Sequence, residues 1–371
     1  MSINRERLLG TFAGLVSIDS PSLFEKESAA YLAERLLKLG FTVTQDDAGE
    51  KISGNCGNLY GYLEGSLDYP PLLLCAHMDT VEPCRSKRAV FHEDGKITSA
   101  GDTILGADDC SGIAAILEAA ESIKESGVPH RPIEVLFTVA EEIYACGAAN
   151  IEYSLLNSKE VYVLDLVGPV GSAAYKAPTI LLFTANITGR AAHAGFEPEK
   201  GVHAIQAAAR AIAQLNMGRL DEETTLNIGF VSGGTVTNIV PESCTVRGEI
   251  RSFSHEKALD ALRSVEQMFL QEAQSIGAAL RFEERLGCRA YETAIDHPVT
   301  IRYQKACKAL GLPGGLEATF GGSDNNYLSQ NGLAGLVLAT AMNRCHSKEE
   351  YTTVDELYNI ASLVQAILLE A

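Results

Sequence analysis

Four short apolar runs in this chain end in side chains of the kinds that bind metal ions. PLLLCA (71–76) is followed by His77-Met78-Asp79, IEVLFTVA (133–140) by Glu141-Glu142, and VYVL (161–164) by Asp165; LAGLVLATA (333–341) leads within a few residues to His346. A fifth acidic pair, Asp108-Asp109, lies just before a helical stretch. One polar ending means little, because every strand must end in something soluble. Four endings that are all His or carboxylate point to a common site. Residues two apart on an extended chain face the same side, so His77 and Asp79 can enter one pocket. The imidazole then takes the metal, and the Asp79 carboxylate receives the ring's other N–H and fixes its tautomer. Adjacent Glu141 and Glu142 cannot share a ligand position, so one binds metal while the other is free to take a proton from metal-bound water. Asp109 or Ser111 can cap the helix, which leaves Asp108 to bridge two cations. Each of two metals thus receives one His, one carboxylate and the shared Asp. This set of nitrogen and oxygen donors without sulfur suits zinc, cobalt or manganese. Two such ions about 3.5–4 Å apart can share a water, lower its pKa and polarise a substrate carbonyl.

The elements that must position these residues read as α/β. Solidly apolar runs of this length fit strands buried on both faces of a mostly parallel sheet covered by helices, with the site at the strands' carboxyl ends. Residues 24–38 place Ala29, Leu32, Leu36 and Leu37 on one helical face ahead of Gly40 as a stop, and SGIAAILEAAESIKESG is helical by the spacing of Ile113, Ile116, Leu117 and Ala120. The stretch from about 180 to 290 reads instead as β-α-β-β-α-β, the ferredoxin-like order. A discontinuous catalytic domain is therefore expected over 1–179 and 291–371, with a compact α+β domain, 180–290, inserted into it. The final helix, about 356–370, packs back on the sheet.

Composition excludes other roles. The chain has 371 residues, of which 46% are hydrophobic and 21% charged, with 48 acidic against 30 basic and a net charge of −18. Nucleic-acid binding needs clustered Lys and Arg, and anionic lipid repels such a surface. No apolar run approaches the roughly 18 residues of a membrane span. The nine cysteines are scattered singly and form no CxxC pair, which fits reduced core cysteines and a cytoplasmic protein. There is no GxSxG, no GxxxxGK[ST] and no GxGxxG after a strand.

The blocks LCAHMDTVEP, LGADDCSGIAAILEA, FTVAEEIYACGA, VYVLD and CHSKEEYTTVDEL resemble, in order, the five metal-site blocks of the di-zinc exopeptidase family. That family includes acetylornithine deacetylase, succinyl-diaminopimelate desuccinylase and the glutamate carboxypeptidase. The LGADD form, where other branches often carry Asp-Met-Lys-Gly, is similar to the peptidase T-like (tripeptide aminopeptidase) branch. The resemblance covers essentially the whole chain. It implies metal ligands His77, Asp108 (bridging), Glu142, Asp165 and His346, with Asp79 orienting His77 and Glu141 as general base. It also implies a cis peptide between Asp108 and Asp109. Leu166 and Val167 follow Asp165 where the family usually has glycine, a departure that bears on the loop beside the second metal.

The same resemblance makes the inserted domain a lid and homodimerisation unit. It implies that His193 reaches the partner subunit's site and helps polarise the scissile carbonyl. Asn238 and Arg251 match substrate contacts, Arg251 as a bidentate partner of a peptide carboxylate, and Gly322 lies in a glycine turn beside the substrate. The expected reaction is hydrolysis of small peptides, such as tripeptides trimmed by an aminopeptidase. A metal-bridged hydroxide generated by Glu141 attacks the carbonyl, and Glu141 passes the proton to the leaving amine. Two rivals are a deacylase or amidohydrolase acting on N-acyl or N-carbamoyl amino acids and a catalytically silent binding protein. The second is disfavoured because Glu141 and every ligand are retained.

Overall fold

The computed structural model describes residues 2–370. By backbone packing the chain divides into two compact units: Met1–Lys176, Glu292–Thr319 and Ser323–Ala371 form the first, and Ala177–Tyr291 with Phe320–Gly322 form the second.

The first unit is built on a mixed, mostly parallel sheet. Its centre runs Ile133–Thr138, Leu72–His77, Glu160–Leu166, Ala334–Ala339, with each neighbouring pair parallel. These are the four apolar runs of the sequence. Every residue of Leu72–His77 and Ile133–Thr138 is buried, the behaviour of strands covered on both faces. Helices Arg5–Val16, Ala107–Ser126 and Val354–Leu369 pack against one another, and the helix starting at Ala107 lies on the strands ending in His77 and Leu166. Leu72, Leu74, Phe137, Tyr162, Ile116 and Leu363 are completely buried there. Each such aliphatic or aromatic side chain contributes about 1.5–3 kcal/mol.

One detail of the sequence reading changes. The helix Lys26–Leu39 buries Ala29, Leu32, Leu36 and Leu39, but Leu37 is 60% exposed. At 100° per residue Leu37 turns off the stripe that Leu36 occupies. Gly40, at φ 95°, closes the helix as expected, its N–H reaching Leu36 and Leu37 carbonyls.

The second unit has the ferredoxin-like order. Strands Thr179–Thr188, Thr224–Gly233, Ser243–Ser252 and Ala279–Cys288 alternate with helices Ala204–Gln214 and His255–Ser275 in the sequence β-α-β-β-α-β. Across the sheet the second strand pairs the third, the third the first and the first the fourth, all antiparallel. Phe183, Val246, Ile250, Leu262 and Phe269 fill its core. Phe320–Gly322 joins this unit because the Phe320 ring packs at a tilt against Phe253 with centroids 4.5 Å apart, lies under the Arg219 guanidinium at 4.7 Å and offers its carbonyl to Arg251 at 2.8 Å. Among the described residues no helix is long and apolar enough to cross a membrane.

Candidate active site

His77 is the last residue of its strand, and its side chain is 1% exposed. Its Nδ1 lies 2.9 Å from the backbone carbonyl of Asp79 and 3.5 Å from that residue's carboxylate. The ring's other N–H therefore goes to the Asp79 main chain, not primarily to its side chain as read from the sequence. The Asp79 carboxylate has other partners: it accepts Ser22 Oγ–H at 2.6 Å, the Glu141 N–H at 2.9 Å and the Glu142 N–H at 3.2 Å. Burial works against its charge, yet His77 and these donors hold it below the usual carboxylate range. Asp79 thus fixes the backbone of the glutamate pair as well as the histidine.

With Nδ1 occupied, His77 Nε2 points into the site, 3.0 Å from Asp108 Oδ1 and 3.9 Å from Asp165 Oδ1. Asp108 projects from a turn that precedes the regular helix: Gly106 has φ 77°, and Asp108 and Asp109 have non-helical backbones. The Asp108–Asp109 peptide is cis. Asp109 supplies the cap, its Oδ1 accepting the Gly112 N–H at 3.1 Å and its Oδ2 the His77 N–H at 3.3 Å. This leaves the Asp108 carboxylate free to face both histidines.

Its other oxygen lies 3.3 Å from His346 Nε2, which is also 3.0 Å from Glu142 Oε2. The two histidines are held differently. His346 sits at φ 60° on an irregular loop, and its side chain is 56% exposed. The five residues form two sets, His77–Asp108–Asp165 and Asp108–Glu142–His346, and the donor atoms within each set lie within 4.8 Å of one another. Among the described residues Glu141 belongs to neither. Burial, reinforced by Asp324, Glu142 and Asp79, pushes its carboxyl well above the usual range. Burial and Glu141 do the same to Asp165, whereas Asp108 and Glu142 raise His346 to about 10. Glu142 Oε1 is buried without a hydrogen-bond partner. Crowded buried carboxylates around two imidazoles, with an unsatisfied oxygen among them, require positive charge. The residues therefore fit two divalent cations that share Asp108.

Residues 58–224 match the model of peptidase family M28, and residues 177–276 match a peptidase dimerisation domain. The two matches overlap, and the structure places their overlap in the second unit, which begins at Ala177. A protein of Bacillus subtilis named only as YqjE is 36% identical over all of this chain and 99% of its own length. A tripeptidase from Staphylococcus aureus superposes with TM-score 0.96 at 34% identity, covering 99% of this chain and 98% of that one. The aminopeptidase PepT from Bacillus cereus superposes with TM-score 0.92 at 36% identity and the same coverage. The chain belongs to the M20 peptidase family, in its peptidase T-like branch. It is a metallopeptidase, and the fold read from its sequence is the M20 fold.

The four other M20 site residues expected from the sequence lie in the second unit. His193 is exposed, stacked on Phe196 at 4.1 Å, and bridged to Ile239 beside Asn238, whose carbonyl accepts the Ala194 N–H at 2.9 Å. Its Nδ1 accepts the N–H groups of Gly195 and Phe196 at 3.1 and 3.2 Å, so Nε2 carries the proton. Arg251 differs from expectation. Its fork is closed on Glu249, with Nε to Oε1 at 2.9 Å and Nη2 to Oε2 at 3.2 Å, while Nη1 donates to Phe320. An adjacent carboxylate two residues back on the same strand face already holds the bidentate position. Gly322 lies in the Phe320–Gly322 stretch.

The sequence assigns no role of their own to three buried carboxylates. Glu25 Oε1 accepts the Leu23 and Ala140 N–H groups at 2.8 and 2.9 Å, Glu350 grips the turn of Asp108, and Asp324 accepts Thr138 Oγ–H at 2.5 Å. None carries a spacing signal; each looks like an ordinary polar residue until the loops are folded. Beside Glu142 a cavity of about 370 Å³ is walled by Phe24, Val81 and Ile143, with Glu82 and Arg85 also on its lining.

Proposed function

We propose that this M20 peptidase removes amino-terminal residues from small peptides, tripeptides above all, with two divalent cations per subunit. His77, Asp108 and Asp165 would hold one, and Asp108, Glu142 and His346 the other; zinc is the first choice, with cobalt and manganese matching the same donors. The observation that carries the reading is the pair of three-residue sets sharing Asp108, with a partly buried glutamate, Glu141, that among the described residues belongs to neither. When bound, the cations lower the pKa of water and polarise a carbonyl.

The protein's own residues do the rest. Glu141 takes the proton from the attacking water and hands it to the departing amine. A carboxyl whose affinity for protons is raised by burial suits that exchange, since the base must hold the proton before giving it up. Asp79 aims Glu141 by gripping its backbone N–H. His193, its proton on Nε2, is suited to donate a hydrogen bond to the carbonyl oxygen in the partner subunit's site as charge develops there. With Arg251 neutralised by Glu249, recognition of the peptide's carboxyl terminus falls to the remaining N–H bonds of that guanidinium and to Asn238. The cavity beside Glu142 receives an apolar side chain next to the bond that is cut. The second unit, matched by a dimerisation-domain model, pairs two subunits. The nine cysteines form no disulfide among the described residues, which fits a reducing cytoplasm.

Glu141→Ala should lower turnover by about 10²–10⁴-fold while cation content stays near that of the unaltered protein. Retained turnover sinks the assignment. Tripeptides should be cleaved in preference to N-acyl and N-carbamoyl amino acids under zinc, cobalt and manganese; the reverse order would make the protein a deacylase.

A further inference from the structure

The loop that carries His346 is closed at its base. Asn343 and Tyr351 exchange N–H···O=C bonds at 3.1 and 3.0 Å, and the Glu350 N–H reaches the Ser347 carbonyl at 3.1 Å. The Glu350 side chain leaves this loop and is 1% exposed. Its Oε2 accepts the Gly106 N–H at 2.7 Å and its Oε1 the Asp108 N–H at 3.0 Å. One carboxylate thus spans the turn from which Asp108 projects. These N–H groups lie at a helix start, where they have no partner within the helix. The turn is backed on another side: a Cβ on Gly106 would lie 3.1 Å from the buried Lys87 side chain. Glu350 therefore joins two segments far apart in sequence, one carrying Asp108 and one carrying the half-exposed His346.

We infer that Glu350 is a positioning residue for the cation set Asp108–Glu142–His346, fixing the backbone of the shared aspartate against the loop of the exposed histidine. The inference rests on the two-cation reading above. Its mechanism is geometric. A half-exposed histidine on irregular backbone has no strand to fix it, and a cation needs it at one position relative to Asp108. The bidentate clasp removes that freedom before the cation arrives.

Glu350→Gln puts an amide N–H₂ against one of the two backbone N–H groups and opens half of the clasp. Zinc should be titrated into chelator-stripped full-length protein by calorimetry. The unaltered protein should take up two ions. The variant should keep one site within about threefold and weaken the other by about 10–100-fold, the usual effect of losing a partner behind a ligand. Glu134→Gln is the control. Glu134 is also buried, and it accepts the Asn157 and Ser158 N–H groups at 2.9 and 2.8 Å near the opposite end of the strands. That change should lower thermal stability and leave both zinc affinities intact. Should Glu350→Gln fail to fold, Glu350→Asp, one methylene too short to span the turn, should weaken the same site. A folded Glu350 variant with both affinities unchanged overturns the inference, as does equal weakening by Glu134→Gln. Fewer than two zinc ions on the unaltered protein would remove the two-cation reading, and this inference with it.

Discussion

The two histidines of the site are held in opposite ways. His77 ends a fully buried strand, its N–H tied to Asp109, its Nδ1 to the Asp79 carbonyl and its ring 1% exposed. His346 sits at positive φ on a loop, its side chain is 56% exposed, and its Nε2 faces the two carboxylates it would share a cation with. One half of the site is assembled by folding; the other is hung beside it and held by clasps from the backbone. A strand end cannot move without breaking sheet hydrogen bonds, so the His77 half is rigid. His346 has no strand to hold it, so its half gains its precision from the closed base of its loop, from Glu350 and from the cation itself.

The sharpest way to break that comparison is to remove each histidine in turn. His77→Ala should lower the stability of the cation-free protein by about 3 kcal/mol, because it leaves a buried Asp108 oxygen without its partner. His346→Ala should change that stability by less than about 1 kcal/mol, since solvent screens a half-exposed pair. Both should lose one bound cation and most activity. Thermal melts of stripped protein, read beside cation content, check both halves at once. Equal destabilisation by the two changes would remove the distinction between a built half and a hung half.

What could be read from the sequence follows the same division. Residues at the ends of apolar runs, His77, Glu142 and Asp165, announce themselves because the run fixes the strand and the strand fixes where its end points. The α/β architecture and the ferredoxin-like insertion are legible for the same reason, being written in periodicity. His346 and Asp108 lie on irregular backbone, so the sequence places His346 only within a few residues of its run and Asp108 only as an acidic residue just before a helix. Glu25 and Glu350 were invisible: a carboxylate that grips backbone N–H groups has no pattern, since its partners are amides that every residue carries. The Asp79 carboxylate was assigned to the imidazole because spacing shows which side a residue faces, not which donor there reaches it first. The Arg251 fork shows the same limit, as Glu249 on the same strand face took the position expected for a substrate.

Glu25 tests how tightly the Glu141–Glu142 turn is held from the buried side. It is completely buried, and burial together with the nearby Asp79 charge pushes its carboxyl up to about 7, against the pull of the Leu23 and Ala140 N–H groups. A carboxyl whose folded pKa is raised binds its proton more tightly folded than unfolded. As pH rises from about 4.5 to about 7 the unfolded chain ionises first, so stability falls across that window and levels off above it. The loss is at most about 3 kcal/mol. Glu25→Gln keeps an oxygen for the two N–H groups and cannot ionise. At pH 5 it should be no more stable than the unaltered protein, and at pH 8 it should be the more stable of the two. Melting temperatures of stripped protein at both pH values decide this; a difference that does not move with pH would mean that Glu25 titrates normally.

The smallest effect is expected at the cavity beside Glu142, on the exposed side of the site. Phe24 is 61% exposed and Ile143 37%, large apolar surfaces left facing solvent on either side of a space of about 370 Å³. Isolated exposed apolar residues are common, but several lining one hollow next to the proposed ligand Glu142 suit an apolar side chain of the substrate. Burying one aliphatic side chain there would contribute about 1–3 kcal/mol, which sets the ceiling on discrimination. Phe24→Ala, which removes no proposed ligand, should raise KM about 3–10-fold for tripeptides with leucine or phenylalanine next to the cleaved bond. It should leave KM for the alanine and glycine analogues unchanged, and kcat nearly so. Because the cavity wall is tied to the rigid half through Ser22 Oγ–H to Asp79, the change should not alter cation content. A uniform rise in KM for all peptides would place the apolar side chain elsewhere. A fall in kcat with loss of a cation would show that this wall supports the Glu142 half of the site instead of the substrate.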